Sequence, residues 1–359
     1  MTGSAATSVR VIRELDASDD PTLRAWDLDI EAHAPMEQYI WARACALALG
    51  CEPRVVALGP HGDPIAVAPL ARPRSRRPRA ELLGVRELYE PTNFVYADAR
   101  AAEALASSLV DLGWPLFLQR MPASSAAVAA IRAAYRAHGI VICRPAAGYA
   151  AIDLDSDWTE PEQKLSARRR ADVRRTCRRA EQLGDVEPQI LAPSPAELPR
   201  LLDEAFAVEA AGWKGRARTA LAHDARRAAF YRTYAQAAAE RGILRLCFLR
   251  IAGRPAAMQI AVETRRRFWL LRIGFDEAFA RCSPGVLLML ETIRWAARRG
   301  LRSYELLGDV EPWTRPWTQL VRPCVSVRAY PGRTRGLAAF ASDATAAATH
   351  RLRRALPRT

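Results

Sequence analysis

The chain has 359 residues, half of them hydrophobic and 26% charged, which is ordinary for a globular protein and long enough for two domains. Its formal net charge of +14 favours polyanionic or phosphate-bearing partners, although coding bias toward arginine also raises that number. No apolar run approaches the ~20 residues that span a bilayer, and the start MTGSAATSVR has no secretory pattern, so membrane insertion is not expected and the cytoplasm is the expected location.

In the first half, residues 1–10 are expected to be disordered, and residues 11–148 to form a mixed α/β domain. Helical composition over residues 39–49 precedes two apolar runs, 54–58 and 64–70, joined by the turn Gly59-Pro60-His61-Gly62-Asp63; this reads as a hairpin. Residues 72–79, with five arginines and two prolines, read as a loop. Further strands are expected at 94–96, 115–119 and 140–143, with an Ala-rich helix at 126–138. The turn-prone residues 144–148 mark the boundary with a second domain at 149–335.

That domain opens with a strand at 149–154 and a basic helix, for which Thr159 is the expected cap and Pro161 lies in the first turn. A strand at 186–191 follows, then helices at 194–211 and 224–241. Three apolar runs, 243–251, 255–263 and 267–273, are joined by short turns and read as an antiparallel meander. A helix over 284–299 and a strand at 303–307 complete an α+β pattern. Residues 336–359 are expected to be a C-terminal surface helix and tail.

Seven scattered cysteines without a C-x-x-C pair, and five histidines without metal-site spacing, argue against a metal. The strongest chemical signal is Arg281-Cys282-Ser283-Pro284-Gly285-Val286. Ser283 suits a helix N-cap, Pro284 suits the first helical position, and Gly285 removes a side chain from the first turn. Free amides at the positive end of a helix suit a phosphate, whereas Ser-Pro alone is an ordinary helix start. Gly285 favours the ligand, because glycine inside a first turn weakens a helix.

The basic helix has eight cations between Lys164 and Arg179. Such a run grips a polyanion or, more often, is a solvated face; no aromatics interleave it. The segment from Tyr304 to Trp317 carries Glu305, Asp309 and Glu311 at and beyond a strand end, with Trp313, Arg315 and Trp317. Carboxylates there suit a general base or an amine-binding group, and equally a solvated loop. Lys164 and Lys214 are the only lysines among 53 basic residues. Lys214 lies in Trp213-Lys214-Gly215-Arg216, where a compact ammonium has been kept in place of a guanidinium.

Four stretches in order resemble the GNAT superfamily of acyltransferases, in the branch of CelD-like, cellulose-biosynthesis-type acetyltransferases related to Fem aminoacyl transferases. They are Arg168-Arg169-Arg170-Ala171-Asp172-Val173-Arg174-Arg175, Trp213-Lys214-Gly215-Arg216, Phe275-Asp276 with Ser283-Pro284-Gly285, and Gly308-Asp309 with Trp317. The resemblance covers roughly residues 150–330, and the first half resembles a degenerate partner domain. It implies tandem GNAT-like domains, each a mixed, mostly antiparallel sheet flanked by helices. Residues 267–273 and 303–307 would be the splayed strand pair. Acetyl-CoA or another acyl-CoA would be the co-substrate, with its pyrophosphate on Ser283, Pro284, Gly285 and Val286 and a contact from Arg281. Direct attack by an acceptor amine would use Asp309 as base, or second Glu305. Trp213, Lys214, Arg216, Trp313 and Arg315 would bind the acceptor, which is an amine of a sugar, polysaccharide precursor or secondary metabolite. Trp313-Thr314 stands where family members often have Tyr-Lys, which implies a different acceptor choice. A Fem-like use of aminoacyl-tRNA and a non-catalytic, nucleic-acid-binding or scaffold role are the alternatives.

Overall fold

A computed structural model describes residues 8–16, 20–26, 34–72, 79–212 and 220–355. The chain divides into two compact units, Met1–Ala147 with Pro323–Thr359, and Gly148–Arg322. The first unit begins with β1 (Ser8–Ile12), α1 (Pro21–Ala25), α2 (Tyr39–Leu49), β2 (Glu52–Pro53), β3 (Val55–Gly59), β4 (Ala66–Ala68), β5 (Leu70–Arg72) and β6 (Ala80–Leu82). Next come α3 (Val85–Leu88), β7 (Val95–Tyr96), α4 (Ala99–Asp111), β8 (Leu116–Pro122) and α5 (Ala126–His138). Residues 8–10, expected in a disordered start, pair in β1 with β3. Strands β1, β3, β4 and β7 form one antiparallel sheet in that order. Leu105 and Leu109 of α4 and Ile131 and Tyr135 of α5 are fully buried against Leu116 and Leu118 of β8.

β9 (Gly139–Asp153) crosses the unit boundary as one strand, where two strands and a turn were expected. In the second unit, α6 (Ala167–Glu181) starts at Ser166, whose side chain accepts from the Arg169 amide. Thr159 does not cap this helix: it ends one 3-10 turn, and a second follows at Pro161–Lys164. Then follow β10 (Val186–Leu191), α7 (Leu198–Ala210), α8 (Ala225–Glu240), β11 (Leu244–Ile251), β12 (Arg254–Thr264), β13 (Arg267–Phe275), α9 (Pro284–Arg298) and β14 (Ser303–Leu307). Their sheet order is β10-β11-β12-β13-β14-β9. The tight turns between β11, β12 and β13 place Ala252, Gly253, Arg265 and Arg266 at positive φ, as two-residue hairpin loops require.

Among these six strands the neighbouring pairs are antiparallel except β13 with β14. That parallel pair joins only Arg267–Trp269 to Ser303–Glu305, while β13 runs on to Phe275. A bulge opposite Ile260 and Ala261 leaves Leu271 without a pairing partner and bends β13 as it leaves β14. The mostly antiparallel α+β architecture with flanking helices is the one expected. One face of the sheet packs on α6 and α9, with Phe268 stacked on Tyr304 at 4.6 Å and Val173, Ala180, Leu287 and Ile293 buried around them. β15 (Val321–Pro331) returns the chain to the first unit and leads into α10 (Thr334–Ala355), so residues 323–335, expected with the acyltransferase domain, cluster with the first unit.

Candidate active site

The approach to α9 is shaped by local hydrogen bonds. Asp276 accepts from the Ala278 amide at 2.9 Å and starts a 3-10 turn, Glu277–Cys282, whose end holds the Ser283 amide on the Ala280 carbonyl at 3.0 Å. Ser283 stands at the N-cap position, yet its backbone is left-handed (φ 45°) and its hydroxyl makes no cap hydrogen bond. The Ser283 carbonyl instead accepts from Val286 and Leu287 at 2.9 and 3.3 Å. Pro284 has no N–H. Gly285 therefore carries the first-turn amide with no hydrogen bond among the described residues, at the positive end of a 15-residue helix. A Cβ on Gly285 would meet only Phe275 Cδ1, at an ordinary 3.8 Å. The fold itself does not need glycine there.

Next to this helix end lies a cleft of about 400 Å³. Arg169, Asp172, Arg175, Thr176 and Arg179 of α6 form one wall, Ser283 and Val286 at the start of α9 another, and Trp313 and Trp317 a third. Trp317 is buried, and Trp313 donates its indole N–H to Glu311 at 2.8 Å, which fixes the aromatic wall. Thr314, also buried, donates to the Glu311 carbonyl at 2.8 Å and braces the same loop. Arg179 donates to the Arg281 carbonyl at 3.3 Å and ties α6 to the turn before α9. The basic helix is solvated along its arginines, with Val173 and Ala180 in the core, as expected; that three of those arginines line a cleft was not anticipated. The signal was in the sequence: positions 169, 172, 176 and 179 share a helical face beside the apolar stripe of Val173 and Ala180.

The two carboxylates proposed as base have opposite environments. Glu305 is fully buried on β14, accepts from Ser303 Oγ at 2.6 Å, and is paired with Arg322 at 3.3 Å and Arg267 at 3.6 Å. Asp309 is exposed, just beyond Leu307 and Gly308, which both have positive φ (54° and 57°) and turn the chain sharply at the strand end. Arg281 and Arg315 are exposed. Trp213, Lys214 and Arg216 lie outside the described residues.

A second polar cluster, not anticipated from the sequence, lies where α7 meets β13. A Cβ on Gly274 would come within 2.8 Å of the Glu209 Cα, so only glycine allows this approach. Glu209, 1% exposed, faces Arg272 at 2.6 Å and accepts from the Leu221 amide at 2.9 Å. The Arg272 guanidinium also sits 5.6 Å from the Tyr231 ring centre. Among the described residues, no group of three His, Cys, Asp or Glu side chains could hold a metal ion.

The sequence model of the acetyltransferase (GNAT) domain matches residues 167–315, from the first residue of α6 to Arg315. Residues 167–315 are thus similar to a GNAT-type acetyltransferase domain. Solved structures similar to it include FemX, with a TM-score of 0.55 and 11% identity over 89% of this chain and 96% of that one. L-PGS from Bacillus licheniformis aligns with a TM-score of 0.54 and 10% identity, covering 90% of this chain and 95% of that one. A conserved protein of unknown function from Bacteroides thetaiotaomicron gives 0.54 and 11%, covering 90% and 99%. At these identities the likeness establishes the fold. No curated protein matches the chain.

Proposed function

We propose that the protein is an acyl-CoA-dependent N-acyltransferase, with acetyl-CoA the first donor to test and an amine of a sugar, polysaccharide precursor or secondary metabolite as acceptor. The observation that carries this reading is the cleft, which joins three α6 arginines and a tryptophan wall to the start of α9, where the Gly285 amide is open, inside the GNAT-type domain. The open amide at the helix start suits a diphosphate, and the guanidinium groups beside it suit a further phosphate of the same donor. The parting of β13 and β14 after Trp269 and Glu305 leaves strand backbone available to a thioester.

The acceptor nitrogen attacks the thioester carbonyl directly. Backbone N–H groups stabilise the oxyanion of the tetrahedral intermediate, the ammonium proton passes to a base, and the C–S bond breaks to release the thiol. Asp309 is the base in this reading, because it is exposed beyond the strand end. Glu305 is committed to Arg322, Arg267 and Ser303, and its role is to hold strands together. Lys214, with Trp213 and Arg216, is assigned to the acceptor or a donor phosphate. Full activity in Lys214→Arg would remove the case for an ammonium at that position.

A second reading is Fem-like transfer from aminoacyl-tRNA. The similarity to FemX and L-PGS over about nine-tenths of the chain favours it, as does the exposed arginine surface of α6. Purified protein mixed with acetyl-CoA and a panel of amines should release thiol and gain thermal stability. No stabilisation at millimolar acetyl-CoA, with RNase-sensitive turnover of charged tRNA, would replace the first reading by the second.

A further inference from the structure

We propose that Arg169, Arg175 and Arg179 are the recognition surface for the 3′-phosphate-bearing nucleotide end of the donor. This inference rests on the acyl-CoA reading and adds which residues of this chain select a phosphorylated donor. In a helix, residues 169, 175, 176 and 179 fall within about one third of the circumference. All four line the cleft, whereas Arg174 and Arg178 are exposed and do not.

The charge of this wall is poorly compensated from within. Asp172 is its one carboxylate and is paired with Arg175; both side chains are about half exposed. Arg179 donates to a neutral carbonyl, and the Arg169 side chain has no ion pair among the described residues. Three like charges on one helix face repel one another, and that cost persists unless an anion offsets it. Two net positive charges suit a phosphate monoester, which carries close to two negative charges at neutral pH. Arginine grips such an oxygen cluster through paired N–H donors. Trp313, fixed by Glu311, closes the opposite side of the cleft with an aromatic face suited to a purine.

Titration calorimetry with acetyl-CoA and its 3′-dephospho form tests this, with adenosine 3′,5′-bisphosphate and adenosine 5′-monophosphate as fragments. The wild type should prefer the 3′-phosphorylated member of each pair. Arg169→Ala and Arg179→Ala should each weaken acetyl-CoA by about tenfold and reduce that preference. Arg174→Ala and Arg178→Ala remove the same charge from the same helix and should change affinity by less than about twofold. Alanine is the better helix former, so α6 should persist in every variant, as circular dichroism can check. Equal affinity with and without the 3′-phosphate overturns the proposal, as does a loss in Arg174→Ala equal to that in Arg179→Ala; either result leaves the acyl-CoA reading standing. A wild type that binds no acetyl-CoA overturns both.

Discussion

Asp309 and Glu305 show how position decides the work of a carboxylate. An exposed Asp309 can take a proton and pass it to water. With Asp309 as the proposed base, Asp309→Asn should lower the turnover number by roughly a hundredfold or more with little change in melting temperature, measured by thiol release. Glu305→Gln should act the other way, because it leaves Arg322 and Arg267 facing a buried neutral amide. Breaking a fully buried pair costs about 3–5 kcal/mol, but those two arginines are 30% and 39% exposed, so about 2 kcal/mol is expected in denaturant unfolding. At Gly285 the two effects separate more sharply. Gly285→Ala should raise stability by up to about 1 kcal/mol, because the added methyl meets only Phe275 at 3.8 Å. It should weaken acetyl-CoA binding all the same. If affinity is unchanged, the open first turn of α9 is an accident of sequence.

At the scale of elements, the sequence was most legible where periodicity and punctuation agreed. The meander β11–β12–β13, the helices α2 and α5, and the strand β14 fall at or within a residue or two of their expected bounds. Each is a strong apolar or Ala-rich run closed by glycine, proline or a polar turn. Where local signals were ambiguous, tertiary packing decided. Residues 144–148 look like a turn because Pro145 and Gly148 punctuate them, yet they are strand. A Cβ on Gly148 would come within 2.6 Å of the Arg322 carbonyl, a constraint no local window contains. α4 was not anticipated, although its cap, Asp98 accepting from the Ala101 amide at 2.8 Å, is an ordinary one. At the site, the α9 start was readable from Pro284 and Gly285, but not the left-handed Ser283. Glu209 and Arg272 escaped notice because they lie 63 positions apart and meet only through the close approach at Gly274.

For the whole molecule, the C-terminal helix is fastened to the first unit by buried charge. Asp343 accepts from Arg79 at 3.1 Å and from the Tyr330 hydroxyl at 2.8 Å, and Arg79 is also paired with Glu81 at 2.8 Å. Asp343→Ala removes one of the two carboxylate partners of a guanidinium that is 8% exposed and leaves Glu81 as the other, so a loss of about 2 kcal/mol is expected in chemical denaturation. Burial, reinforced by Asp343, pushes the Tyr330 phenol up to about 12, and burial also raises Tyr135 and Tyr304 well above the ordinary range. Above about pH 10 the unfolded chain releases phenolic protons that these groups keep when folded. Burial raises the Cys45 and Cys247 thiols in the same way, so stability should begin to fall above about pH 9, and above about pH 10 by a further ~1.4 kcal/mol per pH unit for each such tyrosine. Tyr330→Phe should shallow that decline between about pH 10 and 12, as melting curves in alkaline buffer can show. The division of the chain also bears on how it is made. Residues 148–322 form one uninterrupted unit, whereas residues 1–147 are completed only by residues 323–359. On the ribosome, residues 1–147 must therefore wait for residues 323–359, whereas residues 148–322 emerge as one continuous unit while the first is still unfinished.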